Sequence, residues 1–369
     1  MYISDIIGHL ELLAPPVYQE HYDNGGLLTG SAGWECKGVL TTLDATEEVV
    51  LEAAAKGCNL VVAHHPIIFG GLTKITGRNY VERAVIVAIK KDIAIYSIHT
   101  NLDNIMAGGV NGRIADQLGL TGRRVLLPRE SVLRKLYCFV PASHVEAVRA
   151  AVFGAGAGHI GGYSECSFGV EGLGTFKGGD GTQPFVGQPG TRHSETEVRL
   201  EVILPVHLSR LVVEAMIAAH PYEEVAYDLV PLVNVHNGIG AGLVGELGEA
   251  TEEEAFLERL CGVFRVAVVR HTRLTGGLVK RVALCGGAGS FLISSALAAG
   301  ANFYVTSDVK YHEFFDANDR LVIADIGHFE SEQFTIDLLV DVLRGKFSNF
   351  AVLKSDSPTN PVHYHVGNR

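Results

Sequence analysis

The chain of 369 residues has few of the features that build disulfide-bonded, secreted or membrane proteins. Its 6 cysteines are scattered without C-x-x-C spacing, which excludes a disulfide framework and a cysteine-rich zinc site and indicates reduced, buried thiols. No apolar run reaches the roughly 18 residues of a membrane span, and the N-terminus has no basic segment of a secretory signal. We therefore expect a cytoplasmic protein without a membrane partner.

Basic charge is also scarce. The chain has 30 Lys and Arg against 41 Asp and Glu, a net charge of −11, and its basic residues form no cluster longer than a pair. This balance argues against a nucleic-acid partner, which would require a basic face. A hydrophobic content of 47% indicates a globular protein, and the length is too great for one ordinary core. We expect two or three domains.

Two adjacent histidines are the most informative feature that the chain does contain. His64 and His65 follow an apolar run at residues 60–63 and precede Pro66, which cannot continue a strand. Adjacent side chains at a strand end point in opposite directions, so the two rings can serve two neighbouring metal ions. A core position is the alternative for either ring, and ligands at matching positions elsewhere decide between the two.

Two further strand-like runs, residues 93–98 and 321–326, are followed by side chains of types that bind metals. The first precedes Asp103, and the second precedes His328 and Glu332. Ligands collect outside the carboxyl ends of the strands in an open α/β sheet. We therefore expect one rim of one sheet to carry five metal ligands: His64, His65, Asp103, His328 and Glu332.

The spacing of the last two ligands predicts a shared helix face. His328 and Glu332 are one helical turn apart if a helix begins near His328, whereas Glu330 is out of phase. His99, four residues before Asp103, has three alternative roles: a metal ligand, an outer group that orients a ligand, or a proton shuttle. We favour the outer position and include His99 among the catalytic candidates.

Three histidines and two carboxylates exceed the needs of a four-coordinate structural zinc site. They suit two divalent ions about 3.5–4 Å apart. Zinc and iron are the first candidates for this mixed ligand set, and manganese, nickel and cobalt also fit it. Two divalent cations outweigh two carboxylates, so the centre would attract a small anionic, phosphate-bearing substrate.

Two loops are candidates for substrate contacts. The turn after the strand at residues 281–284 offers backbone amides that could cradle an anion, and it supplies Gly287, Gly289 and Ser290. The segment after the strand at residues 303–305 supplies Asp308 and Lys310 as substrate contacts and His312 as a catalytic acid or base.

The order of predicted elements indicates an α/β fold in three parts. Strands and helices alternate in residues 1–129 and again in 237–369, which predicts two related α/β lobes that meet at the metal site. The intervening residues 130–236 include 13 glycines between positions 154 and 190 and predict an inserted split βαβ, ferredoxin-like domain. A G-x-G-x-x-G match at residues 156–161 follows a helix, where a dinucleotide site requires a strand.

These motifs together resemble the family of GTP cyclohydrolase 1 type 2 homologues, the YbgI/YqfO-like proteins. The resemblance rests on His-His-Pro at 64–66, Thr-Asn-Leu-Asp at 100–103, Gly-His-x-x-x-Glu at 327–332, Asp-Asn-Gly-Gly-Leu at 23–27, and residues 306–312. Gly25 departs from the Val that relatives often have. The resemblance implies that the five ligands hold a dinuclear metal centre and that the chain forms a hexamer, a trimer of dimers.

The inserted segment is similar to CutA and PII signalling proteins, a likeness that includes His-Pro-Tyr-Glu-Glu at 220–224. That motif is either a helix end followed by a turn with exposed carboxylates, which we favour, or a ligand-sensing surface. Two functions remain open for the whole chain. One is a metal-dependent hydrolase of a nucleotide or phosphate-bearing substrate, with GTP implied by the resemblance. The other is a non-enzymatic scaffold for metal storage, metal delivery or regulation.

Overall fold

The computed structural model describes residues 1–365. The chain forms two compact units. One combines Met1–Pro128 with the chain from Asn237 onwards, and the other is Arg129–His236. All cysteines are free, as expected, and four of the six are buried. No helix in the described part of the chain is long and apolar enough to cross a membrane.

The strands of the described residues, in chain order, are β1 (Gly26–Thr29), β2 (Val39–Thr42), β3 (Leu60–Ala63), β4 (Ala94–Ser97), β5 (Thr121–Pro128), β6 (Leu133–Pro141), β7 (Ser167–Lys177), β8 (Arg192–Pro205), β9 (Tyr227–Leu232), β10 (Gly240–Glu252), β11 (Arg270–His271), β12 (Leu278–Ala288), β13 (Phe303–Ser307), β14 (Val322–Asp325) and β15 (Val352–Lys354).

The α-helices are α1 (Ile3–Leu13), α2 (Glu47–Ala55), α3 (Tyr80–Lys90), α4 (Thr100–Asp103), α5 (Val110–Gln117), α6 (Val145–Gly154), α7 (Ser209–Ala219), α8 (Glu253–Phe264), α9 (Ile293–Ala298), α10 (His328–Glu332) and α11 (Phe334–Lys346). Short 3₁₀ helices occur at Pro16–Tyr18, Val206–Leu208, Ser290–Leu292 and Tyr311–Ala317.

The first lobe is built on a five-stranded sheet with the order β1-β4-β3-β2-β15. Its four parallel strands include β2, β3 and β4, in which every residue is buried, as expected for strands covered on both faces. Helices α2 and α3 pack against this sheet. Each begins at a side-chain cap: Thr46 accepts a hydrogen bond from Val49 N, and Asn79 accepts one from Glu82 N.

The second lobe is a six-stranded sheet with the order β11-β14-β13-β12-β10-β5. Strands β12, β13 and β14 are parallel, and β10, β5 and β11 are antiparallel to their neighbours. Strands β3 and β4 therefore belong to one sheet and β14 to another. The expectation that all the ligands follow strands of one sheet is wrong, because the carboxyl ends of two separate sheets meet at the site.

The unit Arg129–His236 has the element order βαββαβ and an antiparallel sheet in the order β7-β8-β6-β9. This is the ferredoxin-like arrangement. Helices α6 and α7 cover a core that includes Leu136, Leu200 and Val212. The glycine-rich segment contains β7, whose residues are mostly exposed.

Two motifs of this unit have local structural roles. The G-x-G-x-x-G match at residues 156–161 follows α6 and leads to β7 without opening a helix, so it is not a dinucleotide fingerprint. His220 caps the end of α7 and its Nε2 donates to the carbonyl oxygen of Phe139 at 3.0 Å. Glu223 and Glu224 are exposed. The motif is a helix end followed by a turn, as we favoured.

Candidate metal centre

The first pair of candidate ligands emerges from the carboxyl end of β3. The His64 ring is fully buried, and its Nδ1 donates to the carbonyl oxygen of Ile98 at 2.8 Å. The His65 Nδ1 donates to Asp44 Oδ1, also at 2.8 Å. Because each Nδ1 is held by an acceptor, each Nε2 is the nitrogen available to a metal ion.

The second pair lies on α10, which follows β14. Gly327 precedes this helix with a φ of 92°, a conformation that glycine adopts without strain and that turns the chain sharply from strand to helix. His328 Nδ1 donates to Asp308 Oδ2 at 2.6 Å, and Glu332 is buried. The predicted shared helix face of His328 and Glu332 is present, whereas Glu330 accepts a hydrogen bond from Asn360.

Glu332 lies between two sets of donor atoms. Its Oε2 is 2.9 Å from His65 Nε2 and 3.2 Å from His328 Nε2. Its Oε1 is 3.8 Å from His64 Nε2, which is 3.5 Å from Asp103 Oδ1. In each set the three ligand atoms lie within 4.8 Å of one another. We call them the His65 set (His65, His328, Glu332) and the His64 set (His64, Asp103, Glu332).

The donor atoms of the His64 set fit a cation. His64 Nε2 and Asp103 Oδ1 are buried, and neither has a hydrogen-bond partner among the described residues. Buried polar atoms without partners are costly, and a ligated metal ion removes that cost. Gly287 lets the Glu332 carboxylate approach closely, since a Cβ at this position would lie 2.4 Å from Glu332 Oε1.

The electrostatics of the cluster also favour added positive charge. Burial and the negative charge of Glu332 raise the pKa of Asp103 well above its usual range. Burial disfavours the Glu332 carboxylate, but hydrogen bonds with His328 and His65 outweigh this effect and hold its pKa well below its usual range. Burial also opposes charge on His65, yet Asp44 and Glu332 raise the pKa of His65 to about 10. The protonated His65 imidazole thus places a positive charge beside Glu332. A divalent ion can supply this positive charge in its place.

His99 faces the same cluster from a third side. Its ring centroid is 5.2 Å from that of His64 and 5.4 Å from that of His65, and its ligand atom is close enough to group with theirs. His99 Nδ1 donates to Asp23 Oδ1 at 2.8 Å. Asp23 Oδ2 accepts from the backbone and the hydroxyl of Thr100 at 3.1 and 2.5 Å, which fixes the carboxylate. This geometry suits either ligation or proton transfer at Nε2.

The segment after β13 supplies three of the predicted site residues. The Asp308 carboxylate accepts from His328 and so orients a candidate ligand, while its contact with substrate stays a prediction. Lys310 is exposed, and its backbone N–H donates to Glu313 Oε2. His312 is exposed, with its ring against Tyr311 and Phe315. Substrate binding by Lys310 and proton transfer by His312 stay predictions.

The glycine turn after β12 is largely engaged within the protein. The amide of Gly286 donates to Asn111 Oδ1 at 3.0 Å, and that of Gly287 donates to Ser331 Oγ at 2.9 Å. Gly289 accepts a hydrogen bond from the Tyr304 hydroxyl. The two amides nearest Glu332 are therefore not free to cradle an anion, and substrate contacts by Gly287, Gly289 and Ser290 stay predictions.

Sequence reasoning missed two carboxylates that orient the imidazoles. Asp44 follows β2, at the same sheet edge as His65, so the strand-end argument could have found it. Asp23 stands in the Asp-Asn-Gly-Gly motif, which we used only for resemblance. Its contact with His99 spans 76 positions of the sequence, and no local pattern indicates that pairing.

The fold and the cluster define a mixed α/β protein with His, Asp and Glu side chains suited to metal binding. The family model Duf34/NIF3 (NGG1p interacting factor 3) matches residues 1–361, so the chain belongs to this family. It is 40% identical to the GTP cyclohydrolase 1 type 2 homolog of Halalkalibacterium halodurans over 361 residues, 96% of this chain and 97% of the relative. The same-named Bacillus subtilis protein is 38% identical over 97% of both chains.

Solved structures agree with this assignment. A Bacillus cereus protein related to NIF3 is 38% identical, with a TM-score of 0.86 over 99% of both chains. The Staphylococcus aureus protein SA1388 is 27% identical, with a TM-score of 0.78 over 99% of both chains. The resemblance of the chain to the GTP cyclohydrolase 1 type 2 homologues is therefore confirmed.

Proposed function

We propose that this protein is a hydrolase with a dinuclear metal centre that acts on a nucleotide or another phosphate-bearing anion. The observation that carries the proposal is the sharing of Glu332 by two three-donor sets, one of which has two buried donor atoms without partners. The names of the relatives make GTP the first compound to test.

The ligand set supports a catalytic centre. Three protein donors per set leave coordination positions open, which is typical of catalytic and not of structural sites. Mixed imidazole and carboxylate ligation suits zinc or iron first, and manganese, nickel or cobalt also. Two such ions, when bound, would supply Lewis-acid polarisation and lower the pKa of water.

The residues around the centre have distinct roles in this proposal. Ile98, Asp44 and Asp308 orient His64, His65 and His328 through their Nδ1 atoms, as outer groups do around metal ligands. Asp23 holds His99 with its Nε2 available to the site, so His99 can take up or release a proton during hydrolysis.

A metal-storage, metal-delivery or regulatory scaffold is the second candidate. The backbone amides of Gly286 and Gly287 donate hydrogen bonds to Asn111 and Ser331 within the protein. Because these amides cannot then bind a substrate anion, this observation favours the scaffold.

Turnover assays separate the two candidates. Metal-free protein is reconstituted with Zn²⁺, Fe²⁺ or Mn²⁺ and assayed against GTP, other nucleotides and a panel of phosphoesters. We expect hydrolysis that requires metal and stops with chelator. Fully metallated protein that hydrolyses no member of the panel overturns the hydrolase and favours the scaffold.

A further inference from the structure

The last described residues cross the first lobe and end near the metal centre. We call residues 355–365 the C-terminal strap. It follows β15 and is first held by Glu52 on α2, whose carboxylate accepts from the backbone of Asp356 at 2.8 Å and of Ser357 at 3.1 Å. The hydroxyls of Ser355 and Ser357 also donate to Glu52, at 2.6 and 2.7 Å. These contacts fix the start of the strap.

The middle of the strap contacts the groups that orient candidate ligands. The Thr359 hydroxyl donates to Asp44 Oδ2 at 2.8 Å, while Asp44 Oδ1 accepts from His65. Asn360 Nδ2 donates to Glu330 Oε1 at 2.9 Å, and Glu330 lies on α10 between His328 and Glu332. The strap thus bridges an orienting carboxylate of the first lobe and the ligand-bearing helix of the second.

These contacts are distributed unequally between the donor sets. Thr359 acts on Asp44 and therefore on His65, and Asn360 binds the helix that carries His328 and the shared Glu332. Both imidazoles belong to the His65 set. The His64 ring is instead held by the backbone carbonyl of Ile98 in the first lobe.

We infer that Thr359 of the C-terminal strap sets the metal affinity of the His65 set, as a positioning residue that acts through Asp44. This inference rests on the metal centre of the proposed function and does not require turnover. Both Asp44 oxygens are engaged, so its carboxylate has a fixed orientation. Without the Thr359 hydroxyl it is free to rotate, and the His65 ring loses its fixed direction. Loss of a group that hydrogen-bonds a ligand, as Asp44 does, typically lowers metal affinity about 10–100-fold, so loss of the Thr359 hydroxyl, one contact farther out, should lower it about tenfold.

Calorimetric titration of the metal-free full-length protein with Zn²⁺ tests this inference. Wild-type protein is expected to bind in two steps. The Thr359→Val variant should weaken one step about tenfold and leave the other unchanged, and Thr359→Ser should keep wild-type binding. In an Asp103→Asn background, which impairs the His64 set, the remaining step should weaken by the same factor when Thr359→Val is added.

Two further variants test whether the effect of Thr359→Val passes through Asp44. Ser357→Ala removes a strap contact with Glu52 and none with Asp44, so both steps should keep their wild-type affinity. Asp44→Ala should weaken the same step, and adding Thr359→Val to it should have no further effect. An unchanged Thr359→Val titration, or equal weakening of both steps, overturns the inference. Absence of Zn²⁺ binding by wild-type protein would instead overturn the metal centre itself.

Discussion

At the scale of single residues, Glu332 is the side chain on which both donor sets depend, because each of its oxygens faces a different set. We expect Glu332→Ala to lose both metal ions, whereas Asp103→Asn loses mainly one, since Asp103 belongs only to the His64 set. Elemental analysis of purified, reconstituted variants measures this as metal per chain.

His312→Ala is the control for that comparison. His312 is exposed with its ring against Tyr311 and Phe315, so its removal should leave metal content at the wild-type level. Wild-type metal content in the Glu332→Ala variant would contradict the shared role of this carboxylate.

The hydrogen bond between Asp23 and His99 predicts an effect of Asp23 on proton transfer. The Asp23 carboxylate accepts from His99 Nδ1 and is itself fixed by Thr100, so the His99 ring is held with its Nε2 available to the site. If the centre hydrolyses its substrate, Asp23→Asn should lower kcat by about 10²-fold or more. Metal content should stay unchanged, because the hydrogen bonds of the Asp23 carboxylate go to Asn24, His99 and Thr100. The same substitution at the exposed Asp316 is the control. A drop in kcat explained entirely by metal loss would argue against this role.

At the scale of elements, strand ends explain why much of the site could be predicted. The buried runs of β3, β4 and β14 are continuous in the sequence, and the candidate ligands follow each of them within a few residues. The division into two sheets could not be predicted, because strand pairing is a long-range property that local apolar runs do not encode. Thr359 is separated from Asp44 by 315 positions, so only the folded chain reveals their contact.

The junction between α2 and the C-terminal strap predicts a pH-dependent contribution to stability. Burial disfavours the Glu52 carboxylate, but hydrogen bonds from Asp356 N, Lys56 and the strap serines outweigh it and lower its pKa to about 2 from 4.5. A lowered pKa stabilises the folded state above the unfolded value, and this stabilisation is lost as the pH falls from 4.5 towards 2.

We therefore expect Glu52→Gln to lower the free energy of unfolding at pH 7 by about 1.5–3 kcal/mol, the range for hydrogen bonds to a charged group. The difference from wild type should shrink below pH 4.5. Urea unfolding at several pH values measures it, and Glu258→Gln at an exposed position of α8 serves as the control. A difference that does not depend on pH would contradict the assigned cause.

At the scale of the whole molecule, the residues on either side of the inserted unit lie close together, which predicts that the unit can be removed. Pro128 at the end of β5 pairs with Gly240 at the start of β10, so the chain leaves and rejoins the flanking sheet at adjacent positions. All five predicted ligands lie outside the unit Arg129–His236. A variant that joins Pro128 to Gly238 should remain soluble and bind as much metal as wild type. Aggregation or metal loss would contradict an autonomous inserted domain.

An exposed aromatic patch on the second lobe bears on the predicted hexamer. Tyr311 and Phe315 are 72% and 67% exposed, and their ring centroids are 5.7 Å apart. Clustered apolar side chains of this size commonly lie in subunit interfaces. We therefore expect another copy of the chain to cover this patch in the closed assembly that the family resemblance implies.

Light scattering should give wild-type protein about six times the mass of one chain, as a closed trimer of dimers requires. Replacing Tyr311 and Phe315 together by Asp should reduce that mass, because two buried charges would oppose association. Leu12→Asp, at a side chain that is 80% exposed on α1, controls for added surface charge. A wild-type mass of one chain at micromolar concentration would contradict the hexamer. An intact hexamer in the double variant would show that the interface lies elsewhere on the surface.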